Sequence, residues 1–293
     1  MLPRVGLAIA AVFVALSLAE LGMRVVGVGQ VMTYAPDPRF GYIMRPSQVI
    51  STYGDSIEIN ALGLRGPPIL DPKPRGVVRI LFLGDSITYG GGRTYEGSLF
   101  CRILERLARE DGFRVEAVNV SAPGWGPQNW TAWVEVNGLL KADMIVVVIP
   151  AIDRARPFAT LAENAMEEEQ PMLRLTTLWL KWREVVTRGV PLTDEAMHEN
   201  VGALERLKGL VGARPLLAVF LSSMGPDQRP DRWTPYELLF PKALDLRAGF
   251  GNDDYLDAIH FSSSGHRIIG TEIYARLRPT LGELSAAAAG GGS

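Results

Sequence analysis

Val77-Val-Arg-Ile-Leu-Phe-Leu-Gly-Asp-Ser86 is the stretch that decides the fold. Residues 77–83 read as one continuous apolar strand, and strands with no polar alternation are buried on both faces. A glycine-rich turn follows, then a helical pattern over residues 97–110. Working outward, the same alternation repeats. A strand over 115–120 precedes a helix over 128–140. The wholly apolar MIVVVI (144–149) comes next, with a helix over 199–211 and the strand LLAVFL (216–221) behind it. A short fifth strand is expected over 243–246 and a terminal helix over 263–281. This β-α-β-α order implies right-handed crossovers and a parallel sheet covered by helices. The expected fold is α/β: a three-layer α/β/α sandwich with a parallel sheet, spanning residues 77–285.

The flanks differ in character. Residues 29–76 are rich in Pro, Gly and turn residues and read as an irregular collar. Residues 154–198 interrupt the alternation with Glu167-Glu168-Glu169 and the pair Trp179 and Trp182. That insertion is either a lid over a cleft or a solvated amphipathic helix, and the second reading is preferred. The tail, residues 286–293 (AAAAGGGS), carries no apolar period and is expected to be disordered. At the other end, residues 5–19 (VGLAIAAVFVALSLA) hold no charge and follow Arg4. Ser17-Leu18-Ala19 resembles a signal-cleavage site. Against cleavage, apolar residues continue past Glu20 and Arg24 to Val28, enough for a span of roughly 20 residues. Residues 1–28 are therefore read as a membrane anchor, with a cleaved signal peptide as the alternative and a buried core helix as the least favoured. The positive N-terminal flank orients the domain away from the cytoplasm.

Composition narrows the function. Over 293 residues, 30 basic and 32 acidic side chains give a net charge of −2. There is no basic surplus to neutralise phosphates, so nucleic acid is not an expected partner. A single cysteine, Cys101, excludes an internal disulfide framework and a cysteine-based zinc site. Three histidines leave little for a metal centre. Neither a metal nor an organic cofactor is implied, and the chemistry is left to hydroxyls, carboxylates and imidazole.

Two blocks supply these. Gly84-Asp85-Ser86 follows the first core strand, and ligands of open α/β sheets bind at the carboxyl ends of strands. Asp257-Ala-Ile-His260 precedes the last helix, and its spacing lets the carboxylate hold one ring nitrogen while the other stays free. A serine hydroxyl is a poor nucleophile until such a base takes its proton. Alone, the first block is an ordinary turn and the second a helix cap; their coexistence points to catalysis. His266 is expected to be structural and His198 solvated. Cys101 reads as a small buried hydrophobe, and Asp85 and Asp153 as loop clamps.

Gly84-Asp85-Ser86-Ile-Thr-Tyr-Gly90 and Asp257-Ala-Ile-His260, with Phe-Ser-Ser-Ser-Gly265-His266 behind it, resemble the first and last blocks of the SGNH (GDSL) hydrolases. The resemblance implies Ser86 as nucleophile, His260 as base and Asp257 as the acid that orients it. Asn119-Val-Ser-Ala-Pro-Gly124 resembles the second block, which implies the N–H groups of Ser86 and Gly124 as oxyanion donors. The third block of the family ends in Asn-Asp; here Ile152-Asp153 stands, and an aliphatic side chain donates nothing. Asn129 is a candidate substitute for that lost amide. The stretch ending at Pro67, together with the anchor, resembles a bacterial membrane-tethered subgroup. The implied protein is a single-pass serine esterase of the bacterial cell membrane, its domain periplasmic or extracellular, acting on a small acyl ester or an acylated glycan. An O-acyltransferase and a catalytically degraded binding or assembly subunit are the alternatives. The sequence names no protein partner.

Overall fold

The computed structural model describes residues 2–26, 29–52, 55–91, 94–164, 166–177, 192–227 and 229–290. Five strands form one parallel sheet: β5 (Val78–Gly84), β6 (Val115–Ser121), β7 (Met144–Pro150), β8 (Leu216–Leu221) and β9 (Leu244–Asp245). Their spatial order is β6-β5-β7-β8-β9. The first two sheet strands thus lie side by side and the chain then crosses back over β5 to build the other half. That reversal puts a crevice beyond the carboxyl end of β5, where an open α/β sheet receives its ligand.

Every residue of β5 and β7 is buried. Leu81, Leu83, Val147 and Ile149 face one core, shared with α4 (Pro127–Asn137) and α5 (Asp194–Val211). Ile80, Phe82, Val146 and Val148 face the other, shared with α3 (Phe100–Glu110) and α7 (Ser263–Gly290). The α/β/α layering is as expected. The one charge in the first strand, Arg79, is buried yet satisfied: it bonds Glu116 Oε2 at 2.7 Å and the carbonyls of Leu140 and Leu70, both at 2.5 Å.

Three expectations need correction. Residues 29–76 are not irregular throughout: β1 (Tyr34–Asp37) pairs with β2 (Gly41–Met44) and β3 (Val49–Thr52) with β4 (Asp55–Glu58), both antiparallel. α5 begins at Asp194, five residues before the expected start, because the Thr193 side chain caps it by accepting the Ala196 N–H at 3.1 Å. α7 runs to Gly290, past the expected end at 281 and into the segment expected to be disordered, since four successive alanines favour helix. Trp179 and Trp182 lie outside the described residues.

The leader is α1 (Leu2–Val26). Its residues Arg4–Val25 form the one helix, among those described, that is long and apolar enough to cross a membrane, and none of that window is buried. A core helix would be covered, so that reading falls.

Candidate active site

β5 delivers its last residue, Gly84, into a turn so tight that a Cβ there would stand 1.9 Å from Thr88 Oγ1. Glycine lets the chain pass straight from strand into α2 (Ser86–Tyr89). Asp85 caps that helix through its Oδ1, which accepts the Ile87 N–H at 2.8 Å. Ser86 is the first helical residue, so its backbone N–H has no partner within the helix. Ser86 is 8% exposed.

Asp257 builds the opposite wall. Its Oδ1 accepts the backbone N–H groups of Ile259 (3.1 Å) and His260 (2.9 Å), which folds four residues into one turn. The same carboxylate lies 3.0 Å from His260 Nδ1 through either oxygen. His260 Nε2 then stands 2.9 Å from Ser86 Oγ, nearer than Asp85 Oδ2 at 3.5 Å. Partial burial pushes the Asp257 carboxyl up, but the bonds from the His260 backbone and ring and from Ile259 outweigh it and hold it below the ordinary range. An ionised Asp257 accepts from Nδ1–H, and the lone pair of Nε2 is left for the serine proton.

Gly124 lies in the loop that follows β6. Its φ of +83° and the neighbours a Cβ would meet, Asn164 Oδ1 at 2.7 Å and the Tyr42 hydroxyl at 2.8 Å, both demand glycine. Among the described residues no acceptor engages the Gly124 N–H. Tyr42, carried on β2, fixes the loop by donating to the Pro123 carbonyl at 2.5 Å.

Asn129 does not serve as the substitute donor. Its amide donates to the carbonyls of Phe40 (3.0 Å) and Ala159 (2.9 Å), while its oxygen accepts from Gly126 (3.2 Å) and Ala159 (3.1 Å). All of its capacity is used in clamping α4 to the collar and the insertion. The carboxamide that does reach Gly124 is Asn164, positioned by a bond to the Thr160 carbonyl at 3.1 Å. Ile152 is half-buried on the single turn Ala151–Ala155.

Beneath the serine lies a buried charge cluster that the sequence blocks only half disclose. Asp85 and Asp153 are both fully buried, as expected of loop clamps. Arg156 Nε bonds Asp153 Oδ1 at 2.7 Å. Burial raises the Asp85 carboxyl, with Arg156 pulling it back. Asp153 is raised well above its ordinary value by burial and by the nearby Asp85 charge. His266 is structural, as expected: it stacks on Phe100 at 5.5 Å, and burial lowers its pKa to about 3. Cys101 is buried, its thiol pushed up by burial to about 12. His198 is exposed.

A hydroxyl, an imidazole and a carboxylate in hydrogen-bonded series, at the switch point of a parallel α/β sheet, define a site able to generate a nucleophilic alkoxide. No family model matches the chain, and no curated protein matches it. Solved structures similar to it include the lipase/acylhydrolase from Enterococcus faecalis. That protein is 16% identical, covers 69% of this chain and 96% of its own, and has a TM-score of 0.48. A carbohydrate acetylesterase family member from Sinorhizobium meliloti is 14% identical over 70% and 99%, at 0.45. A lipolytic G-D-S-L family protein from Veillonella parvula is 11% identical over 68% and 97%, at 0.42.

Proposed function

We propose that the chain is a serine esterase of the SGNH type, held by α1 to the outer side of a bacterial cell membrane. The observation that carries this reading is the unbroken series Asp257 carboxylate, His260 ring, Ser86 hydroxyl, with both links at hydrogen-bond distance. In the reaction Ser86 Oγ attacks the carbonyl carbon of an acyl ester as its proton passes to His260 Nε2. Negative charge develops on the carbonyl oxygen, where the N–H groups of Ser86 and Gly124 receive it. Collapse expels the alcohol, which takes the proton from His260. Water, deprotonated by the same ring, then releases the acyl group as the acid. Asp257 keeps the proton of the resting ring on Nδ1 throughout. The intact series weighs against a degraded binding subunit. The substrate class is a small acyl ester, free or carried on a glycan.

The test is Ser86→Ala in the full chain. Hydrolysis of a short-chain nitrophenyl ester and labelling by a fluorophosphonate probe are both expected to vanish, with the circular dichroism spectrum unchanged. Wild-type turnover in this variant overturns the mechanism.

A further inference from the structure

The end of α1 is bolted to the insertion. Glu20, only 12% exposed, accepts the backbone N–H of Arg174 at 2.9 Å and of Leu175 at 3.1 Å. One turn on, Arg24 pairs with Glu20 at 2.7 Å and reaches the Met172 carbonyl at 2.5 Å. The turn that follows α1 joins in: a Cβ on Gly29 would meet Met23 Cε at 2.8 Å and Arg174 Cβ at 3.1 Å. In the middle of this knot Met172 is 88% exposed and Leu173 48% exposed.

Depth follows from helix geometry. With Arg4 at the inner face, a rise of about 1.5 Å per residue puts Glu20 roughly 24 Å and Arg24 roughly 30 Å along the axis. That is the outer boundary of a hydrocarbon layer about 30 Å thick. A charged pair at this depth is tolerable because the carboxylate is met by one guanidinium and two N–H groups. Whatever bonds directly to Glu20 and Arg24 shares their depth, and residues 172–175 do.

We propose that residues 170–175 are a foot of the domain that rests in the bilayer holding α1, with Met172 and Leu173 entering the outer leaflet beside the helix. This rests on the anchor reading given above. The occupant of the exposed apolar surface is lipid, because Arg24, at the end of the uncovered apolar helix, bonds the Met172 carbonyl directly. The foot also holds the collar, since Gln170 Nε2 donates to the Val31 carbonyl at 2.5 Å. The Tyr34 N–H donates to the Glu167 carbonyl at 2.9 Å, and the hairpin that begins there carries Tyr42 to Gly124. The crevice is therefore tied to the lipid surface through one short hairpin, and it meets esters presented at the membrane.

The test uses the full chain with Cys101→Ala, reconstituted in vesicles of phosphatidylcholine and phosphatidylglycerol at four to one. An environment-sensitive nitrobenzoxadiazole probe is attached through Met172→Cys, Val12→Cys or Arg106→Cys, the last as a water reference on α3. Quenching by lipids spin-labelled high on the acyl chain is expected to be several-fold stronger at Met172 than at Arg106. Quenching at Val12 is expected from lipids labelled deep in the chain. A Met172 probe no more quenched than Arg106, with Val12 quenched, overturns the foot and leaves the anchor. An unquenched Val12 overturns the anchor itself. Adding Glu20→Ala is expected to reduce quenching at Met172 towards the Arg106 level while Val12 is unchanged. Undiminished quenching there overturns the clamp. Fluorophosphonate labelling of each variant reports that the domain is folded.

Discussion

An imidazole works as a base only while its free nitrogen faces the proton it takes. Asp257 enforces this with one carboxylate that both folds the turn and holds Nδ1. Asp257→Asn keeps the turn's acceptor oxygen but presents an amide to the ring, so the wrong tautomer competes. Turnover should fall by roughly 10²–10⁴, with KM changed far less, as steady-state kinetics on a soluble ester will read. His266 makes a separate prediction. Its folded pKa of about 3 lies below the unfolded value near 6.5, so the unfolded chain binds a proton that the native state refuses. Stability is therefore full above about pH 6.5 and declines as pH falls towards 3. His266→Asn can still accept the Phe100 N–H and removes this titration. Urea unfolding should show a shallower acid limb, and at pH 7 a loss of about 1–2 kcal/mol from the missing stack on Phe100. The hydrogen-bonded series of Ser86, Asp257 and His260 was legible in the sequence because each sits in a compact block whose neighbours make the local turn. Tyr42, Asn164 and Arg156 were not, because only the folded chain brings the collar and the insertion to the end of β6.

Among the elements, the collar does more than lead into the sheet. Arg65, 1% exposed, donates to the carbonyls of Tyr89 (2.8 Å) and Thr94 (2.6 Å) and to Glu96 Oε2 (2.9 Å). It thus ties both sides of the turn behind the nucleophile, and Gly91 of that turn lies against the His260 ring. Arg65→Met leaves the Tyr89 and Thr94 carbonyls without their donor, while Glu96 keeps Arg102 at 2.8 Å, and should cost about 2–5 kcal/mol in chemical denaturation. Activity should fall with it, and Arg65→Lys should restore only part of both, since one ammonium cannot reach three acceptors in a fork. The glycines around Arg65 were visible as turn signals, but nothing local marks a buried arginine as a brace. The long strands were legible because burial on both faces leaves an apolar run that no other element resembles at that length. The hairpin strands were not: four residues such as YAPD or DSIE carry no period, and their pairing is decided by contacts with the sheet domain. The start of α5 was legible in principle, since Thr193-Asp194-Glu195 is a cap followed by first-turn acids.

For the molecule as a whole, the sheet and both walls of the crevice lie downstream of the leader. Removing residues 1–28 should move the protein from the membrane to the soluble fraction and leave kcat on a soluble ester within about twofold of wild type. A larger loss would mean that α1 supports the site directly. The same architecture separates the hydrogen-bonded pair along the chain: Ser86 leaves the first strand of the sheet, and His260 arrives 174 residues later, after the last. Synthesis from the N-terminus therefore makes the Ser86 hydroxyl early and the His260 ring late. Until that final segment emerges and docks, the serine has no base and stays inert. Under the proposed function, a chain cut short before residue 257 lacks both the ring and the carboxylate that orients it, and so hydrolyses no ester.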